Sequence, residues 1–211
     1  MSIIKVQHKS HETPRPYTKQ EFEEVFQIAY LEQLDFEDWR VEQYIRKKCA
    51  WAYKKGRIEP LTLWLGKLHA TDIERDENCA VTIRWIDPEI GYGLFSDQPL
   101  KKWSYLGEYS GLLRRRNLLF RNVNDYCFQY PREWIGLQAF TIDSQDQGNY
   151  TRFINHSDEP NLEALSFFHD GIFRIGFRAC ADIPAGTELT YDYGKIFWNH
   201  RKKLPIRPLI V

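Results

Sequence analysis

The chain has 211 residues, 43% apolar and 27% charged, a size and mixture that fit one globular domain with at most a modest appendage. Wholesale disorder, collagen-like repeats and a disulfide mini-scaffold are excluded. Lys plus Arg and Asp plus Glu both number 29, so the formal charge is zero, and only local patches could attract nucleic acid or anionic lipid. The four cysteines, Cys49, Cys79, Cys127 and Cys180, stand far apart with no C-x-x-C pair and no HExxH. That spacing argues against a metal site and for isolated, reduced thiols. The first residues lack the apolar core of a secretory signal, and no run approaches the ~18 apolar residues of a membrane span. The expectation is a soluble protein, cytoplasmic in the cell that makes it and without contact to a membrane; export to a host nucleus by a signal-independent route would leave no mark here.

Residues 1–16 are polar, with two prolines, and read as an arm. Thr18 followed by Glu21 predicts a capping box with Thr18 as N-cap. Phe22, Val25, Phe26, Ala29 and Tyr30 then recur at helical steps. A second helix is predicted after Asp35, with Trp39, Val41, Tyr44, Ile45, Cys49, Trp51 and Ala52 as its apolar set and an end near Gly56. Its other side carries Arg46, Lys47, Lys48, Lys54, Lys55 and Arg57, which fits a solvated face, an acidic partner or a nucleic-acid contact. From about residue 76 the pattern becomes short strands: Cys79–Trp85, Gly91–Phe95, Trp103–Tyr109, Tyr126–Tyr130, Ala139–Ile142, Phe173–Ala179 and Thr187–Tyr191. The fold class expected is mainly β with a helical N-terminal region, an α+β arrangement of short, largely antiparallel strands. Three regions are expected: 1–75 (arm and helices), 76–194 (strand-rich domain) and 195–211 (a tail with five basic residues and no acid).

Three segments carry chemistry, and each alone has an ordinary reading. Gly91-Tyr92-Gly93 lacks the third glycine of a dinucleotide fingerprint and fits a strand bend as well as a close approach to a ligand. Asn155-His156-Ser157 places an amide, an imidazole and a hydroxyl together just after an apolar pair. Burying them costs several kcal/mol unless each is partnered, so they form a turn network or a polar cradle for a small ligand. Tyr191 and Tyr193 share a face by strand alternation, as packing or, with Gly194, Phe197 and Trp198, as the wall of an aromatic site.

In order, Gly91-Tyr92-Gly93, Gly107-Glu-Tyr-Ser-Gly111, Arg152-Phe-Ile-Asn-His-Ser157 with Pro160-Asn161, and Glu188-Leu-Thr-Tyr-Asp-Tyr-Gly194 resemble the SET-domain protein-lysine methyltransferases over about residues 76–198. The compact size and lack of zinc cysteines look like the small SET proteins of intracellular bacteria, and Trp198 after the last motif resembles histone H3 methyltransferases. The resemblance implies a β-rich fold in which the Asn-His and Tyr-Asp-Tyr segments thread past each other as a C-terminal pseudoknot. It also implies S-adenosylmethionine as cofactor. Gly91, Tyr92, Gly93, Arg152, Asn155, His156, Tyr193, Phe197 and Trp198 would then form the cofactor-binding set, with Phe197 and Trp198 over the adenine. Tyr193 matches the catalytic tyrosine; Tyr109, Tyr126 and Tyr191 would line the lysine channel. No zinc cluster follows the core, so Phe197, Trp198 and Leu204 or Ile206 would complete the cofactor site.

Tyr at position 191 implies a product restricted to mono- or dimethyllysine. Residues 142–192 hold nine acids against three arginines, a net −6, which would suit a basic substrate such as a histone tail. The expected function is transfer of methyl to the lysine ε-amine of a histone or histone-like basic protein, within a chromatin-regulating role for a bacterial effector. The rivals are a SET-like binding module without turnover and a methyltransferase of non-histone bacterial proteins. A weak DNA contact through the basic helix or tail, and a homodimer through the N-terminal helices, complete the expectations.

Overall fold

The computed structural model describes residues 2–75, 80–116, 124–131 and 140–198. The polar start is more than an arm: Ser2–Gln7 forms strand β1 and Arg15–Thr18 forms β2. Their alternation was hidden by the intervening polar and proline-bearing turn. Thr18 then caps α1, Lys19–Phe26. Its Oγ1 accepts from the Glu21 N–H at 3.2 Å while Glu21 accepts from the Thr18 N–H at 2.8 Å, the reciprocal pair that the spacing predicts. The helix stops before Tyr30 because Gln27 turns left-handed at φ 55°. Ala29–Tyr30 is instead the short strand β3, and Asp35–Phe36 is β4.

Asp38 caps α2, Trp39–Lys54, accepting from the Arg40 and Val41 N–H groups at 2.7 and 2.8 Å. Val41, Ile45, Cys49 and Ala52 are its buried stripe, whereas Trp39 and Trp51, expected with them, face solvent. Two helices follow that the strand-and-helix pattern does not reveal, α3 (Pro60–Leu68) and α4 (Ala70–Arg75). Pro60 at the first turn of α3 is an N-terminal signal of its own.

The remaining elements are β5 (Val81–Asp87), β6 (Gly91–Ser96), β7 (Tyr105–Glu108), β8 (Leu112–Arg115), β9 (Cys127–Gln129), β10 (Phe140–Asp143), β11 (Gln147–Gly148), a 3-10 turn at Tyr150–Phe153, β12 (Asn155–His156), β13 (Leu162–His169), β14 (Ile172–Ala179), β15 (Glu188–Tyr191) and α5 (Gly194–Trp198). The predicted strands are all met within a few residues; Cys79 and Ala139, where two were expected to begin, lie outside the described residues. Strands β8, β11, β12 and β13 were not expected. Yet β13 and β14 form an eight-pair hairpin closed by Asp170 and Gly171, at φ 48° and 74°, the two left-handed residues of a type I′ turn.

The strands form a six-stranded sheet in the order β12-β15-β6-β5-β1-β2, a four-stranded sheet β4-β8-β10-β9, a three-stranded sheet β13-β14-β7 and the pair β11-β3. Antiparallel pairing dominates, but β1–β5, β3–β11, β4–β8 and β12–β15 run parallel, so the N-terminal strands are stitched into the later ones. A main apolar core joins these layers, with Phe22, Tyr30, Ile45, Ile83, Leu94, Leu113, Tyr130, Phe140 and Phe177 among its buried side chains, and a smaller cluster gathers Leu65, Ile73 and Phe167.

An ion pair crosses from β7 to β14 inside this core. Arg174 Nη1 lies 2.8 and 3.0 Å from the two carboxylate oxygens of Glu108, with both side chains about 95% buried. Removing one partner strands the other charge in a poor solvent, at a cost of about 3–5 kcal/mol. Glu108→Gln is therefore expected to lower unfolding free energy by about that amount in urea titrations, and the double replacement Glu108→Leu with Arg174→Met to recover most of it.

Candidate functional site

The Asn-His segment and the Tyr-Asp-Tyr segment meet as a parallel pair: Asn155 lies opposite Thr190 and His156 opposite Tyr191. The pairing continues past the strand, where the Ser157 N–H donates to the Tyr191 carbonyl at 3.2 Å. Asn161 clips the same strand from its other end. Its Nδ2 donates to the Glu188 carbonyl at 2.8 Å, and its Oδ1 accepts from the Thr190 N–H at 2.9 Å.

The Asn155 side chain faces the Gly-x-Gly strand. Its Nδ2 donates to the Tyr92 carbonyl at 3.2 Å and to Glu188 Oε1 at 2.9 Å. Gly93 is required by this approach: a Cβ there would stand 2.7 Å from Ile86 Cδ1 and 2.8 Å from Glu188 Oε1. Gly91 is required by conformation, at φ 82°. The Tyr92 ring is enclosed by His8, Phe26, Trp85 and Phe153, with centroids 5.1–6.2 Å away, so its visible share in the cradle is its backbone carbonyl.

His156 is a bridge. Its Nδ1 accepts from the Tyr193 N–H at 3.2 Å, which puts the ring proton on Nε2, 3.4 Å from Asp158. Asp192 approaches Nδ1 at 3.7 Å. The imidazole also packs on Trp198 and Tyr193, at 4.8 and 5.4 Å. Helix α5 leaves Tyr193 through Gly194 at φ 79°, a turn that folds Phe197 back to 4.6 Å from the Tyr193 ring.

Tyr193 lies just beyond β15, yet its ring sits 4.8 Å from Tyr191. Its hydroxyl donates to the Ile154 carbonyl at 2.9 Å. Tyr191 packs in turn on Phe177 at 4.9 Å and Phe128 at 6.2 Å, and Tyr109 packs on the same two rings. The result is a continuous aromatic wall running Tyr109–Phe128/Phe177–Tyr191–Tyr193–Phe197/Trp198. Burial drives the phenol pKa values of Tyr109, Tyr191 and Tyr193 far upward, so all three are neutral hydroxyls at any physiological pH.

Tyr126 stands at the open end of this wall, 38% exposed. Its carbonyl accepts from the Tyr109 hydroxyl at 2.7 Å and the Ser144 N–H at 3.1 Å. The Arg152 guanidinium lies 4.0 Å over its ring, held there by bonds to the Ser144 and Gln145 carbonyls at 2.8 and 3.3 Å. Arg152, grouped with the cofactor residues on sequence, is thus committed to the Tyr126 end. Asn155, His156, Tyr193, Phe197 and Trp198 are drawn together; Phe128, Phe177, Asn161 and Glu188 join them without having been singled out as site residues. For Glu188 the signal was available: an acid opening the short strand that leads into the Tyr-Asp-Tyr motif. Leu204 and Ile206 lie outside the described residues.

Residues 91–194 match the family model described as SET domain. Histone-lysine N-methyltransferase NSD3 of Mus musculus is 36% identical over 112 residues, 49% of this chain and 7% of that protein. Histone-lysine N-methyltransferase EZH2 of Chaetomium thermophilum is 31% identical over 172 residues, 74% of this chain and 11% of that protein. The crystal structure of the Chaetomium thermophilum polycomb repressive complex 2 superposes with a TM-score of 0.52 at 29% identity, covering 63% of this chain and 17% of that one. This chain therefore spans a small part of the length of the relatives it matches.

Asp143 fastens the Tyr126 segment. Burial alone would raise its carboxyl pKa, but the Asn124 amide, the Gln145 N–H and the Arg114 guanidinium, at 2.7–3.0 Å, together hold it below the usual range. A carboxyl depressed on folding adds stability that is complete above its unfolded pKa of about 3.9 and fades as pH falls below it. The stability gap between the unmutated chain and Asp143→Asn, read from urea midpoints, is expected to be wide at pH 6 and narrowed at pH 3.

Proposed function

The chain belongs to the SET-domain family, and from that premise we propose that it is an S-adenosylmethionine-dependent protein-lysine N-methyltransferase acting on a lysine in a basic segment of a histone or histone-like protein. The observation that supports this most is the convergence of a polar cradle and a wall of neutral phenols on one residue, Tyr193. The cradle suits the cofactor. Gly91–Gly93 brings backbone close, and Asn155 and His156 supply an amide and an imidazole already oriented by Glu188 and Tyr193. Phe197 and Trp198 offer ring faces beside them. When bound, S-adenosylmethionine supplies an electrophilic methyl group.

The chain's own work concerns the amine. A free lysine has a pKa of about 10.4 and is almost wholly protonated at neutral pH. Enclosure by Tyr109, Tyr126, Phe128 and Tyr191 disfavours the ammonium form and lets its proton leave to water. The buried Tyr193 cannot serve as a base near neutrality; its hydroxyl orients and polarises, and alignment itself can contribute about 7–11 kcal/mol. Several acids of the 142–192 stretch are spent internally: Asp143 on Arg114, Glu163 on Arg178, Asp170 on Arg46 and Asp182 on Lys101. Attraction of a basic peptide then falls to Glu159 and Asp192, beside His156 and the exit of the wall.

Incubation with isotopically labelled S-adenosylmethionine and core histones tests the reading. Label is expected on a histone, lost by about a hundredfold or more in kcat for Tyr193→Phe, and absent from a charge-reversed peptide. Cofactor binding with no transfer to any basic protein would favour the binding-module alternative. Activity that declines as pH rises from 7 to 9 would contradict the neutral-phenol account.

Tyr191 bears on the product. Its ring packs between Phe177 and Tyr193, and its neutral hydroxyl would take space that added methyl groups need. Mass spectrometry is expected to show mono- and dimethyllysine from the unmutated chain and trimethyllysine from Tyr191→Phe; abundant trimethyllysine from the unmutated chain would overturn the assignment.

A further inference from the structure

Helix α3 carries a ridge that the fold leaves uncovered. On its inner side Leu65 is buried, and a Cβ on Gly66 would collide with the Phe168 carbonyl oxygen, so the helix backbone rests directly on β13. Leu61, Trp64 and Leu68 are 57%, 54% and 52% exposed. Their i, i+3, i+7 spacing aligns them along one face. Tyr53, near the end of α2, stacks on the Phe168 ring at 5.9 Å and is itself 60% exposed, so the aromatic end of α2 adjoins the ridge through a shared neighbour. Scattered exposed apolar residues are ordinary, but a contiguous row containing large aromatics marks an interaction surface.

Charge selects the occupant. Lys54 and Lys55 at the end of α2, Arg57 in the link to α3 and Lys67 on α3 itself are exposed; Arg57 lies over the Trp51 ring at 4.9 Å, and none of the four is ion-paired among the described residues. The acids of the same stretch, residues 54–73, are Glu59 and Asp72, the latter engaged with His69 at 3.3 Å. We infer that this face docks an acidic amphipathic helix of another protein, whose apolar residues lie along Leu61, Trp64 and Leu68 and whose carboxylates meet the four cations. A second copy of this chain would set the same cations against one another across a two-fold axis. Nucleic acid would engage the cations but leave the leucines against phosphate and water. An anionic bilayer also accepts leucines and a tryptophan beside cations, but three half-exposed side chains in one row are a narrow face to immerse and match the i, i+3, i+7 anchor spacing of a helix partner. The docking does not depend on the catalytic reading.

The probe is a fluorescent helical peptide with leucines at i, i+3 and i+7 flanked by glutamates, titrated with the full chain and followed by anisotropy. A matched peptide with lysines replacing the glutamates is the control. The acidic peptide is expected to bind about tenfold or more tightly than its basic match, and Trp64→Ala to weaken it about tenfold. The surface double variant Lys55→Glu with Lys67→Glu, which disturbs no packing, is expected to do the same. Equal affinity for the two peptides or unchanged affinity in both variants overturns the inference. So does a dimer of the free chain that Trp64→Ala dissociates, or tighter binding to phosphatidylserine vesicles than to the acidic peptide.

Discussion

The Glu188 carboxylate and the Asn155 and Asn161 amides are polar groups placed where water is scarce, and each would cost free energy if left alone. Their partners lie across three chain segments. Asn155 reaches from β12 to Glu188 and to the Tyr92 carbonyl, while Asn161 holds the backbone of β15 from the other side. The small size of Gly93 is what lets these groups close up. Because each partner belongs to a different segment, the network fixes the relative placement of the glycine-rich hairpin, the Asn-His strand and the tyrosine strand at once. Little else in the site could be positioned without it.

The aromatic wall inherits that placement. Tyr191 ends the strand that Asn161 clips, and His156, paired to that strand, accepts the Tyr193 N–H. The hydroxyl of Tyr193 is then fixed on the Ile154 carbonyl, one residue before Asn155. Polar bonds therefore set the backbone, and ring contacts fill the space between. The Tyr126 end is organised differently, by a guanidinium over the ring and a loop pinned through Asp143. One end of the wall is built on paired strands and the other on a loop.

Much of this was legible from residue order. The capping box of α1, the strands carrying Gly91–Gly93 and Glu188–Tyr191, and the meeting of Asn155 and His156 with Tyr191 and Tyr193 follow from local chemistry and from the ordered motifs. What escaped has physical reasons. β1 owes its place to a parallel partner seventy-seven residues away, Lys5 opposite Thr82, which no local period reports. Its partner β2 is only four residues long. β13 reads Leu-Glu-Ala-Leu, a run of helix formers, and is a strand because the Asp170-Gly171 turn folds it onto β14. Trp39 and Trp51 were placed with the core by residue type, but the buried stripe of α2 is narrow and runs through smaller side chains. Arg152 adjoins the Asn-His motif in sequence, yet the 3-10 turn carries it to the opposite end of the site. Adjacency along a chain fixes neither the face nor the direction of a long side chain.

The six-stranded sheet also has a temporal consequence. It gathers β1 and β2 from residues 2–18 and β15 from residues 188–191, with β5 and β6 between. On a ribosome β1 and β2 emerge with only each other to pair with, and the sheet cannot close until β15 has left the exit tunnel. Contacts so distant in sequence are slow to form, and unpaired edges are open to wrong partners while they wait. The capped helices α1 and α2, whose bonds are all local, can form during that interval and shield apolar surface. The helical N-terminal third then acts as a placeholder for a core that arrives later.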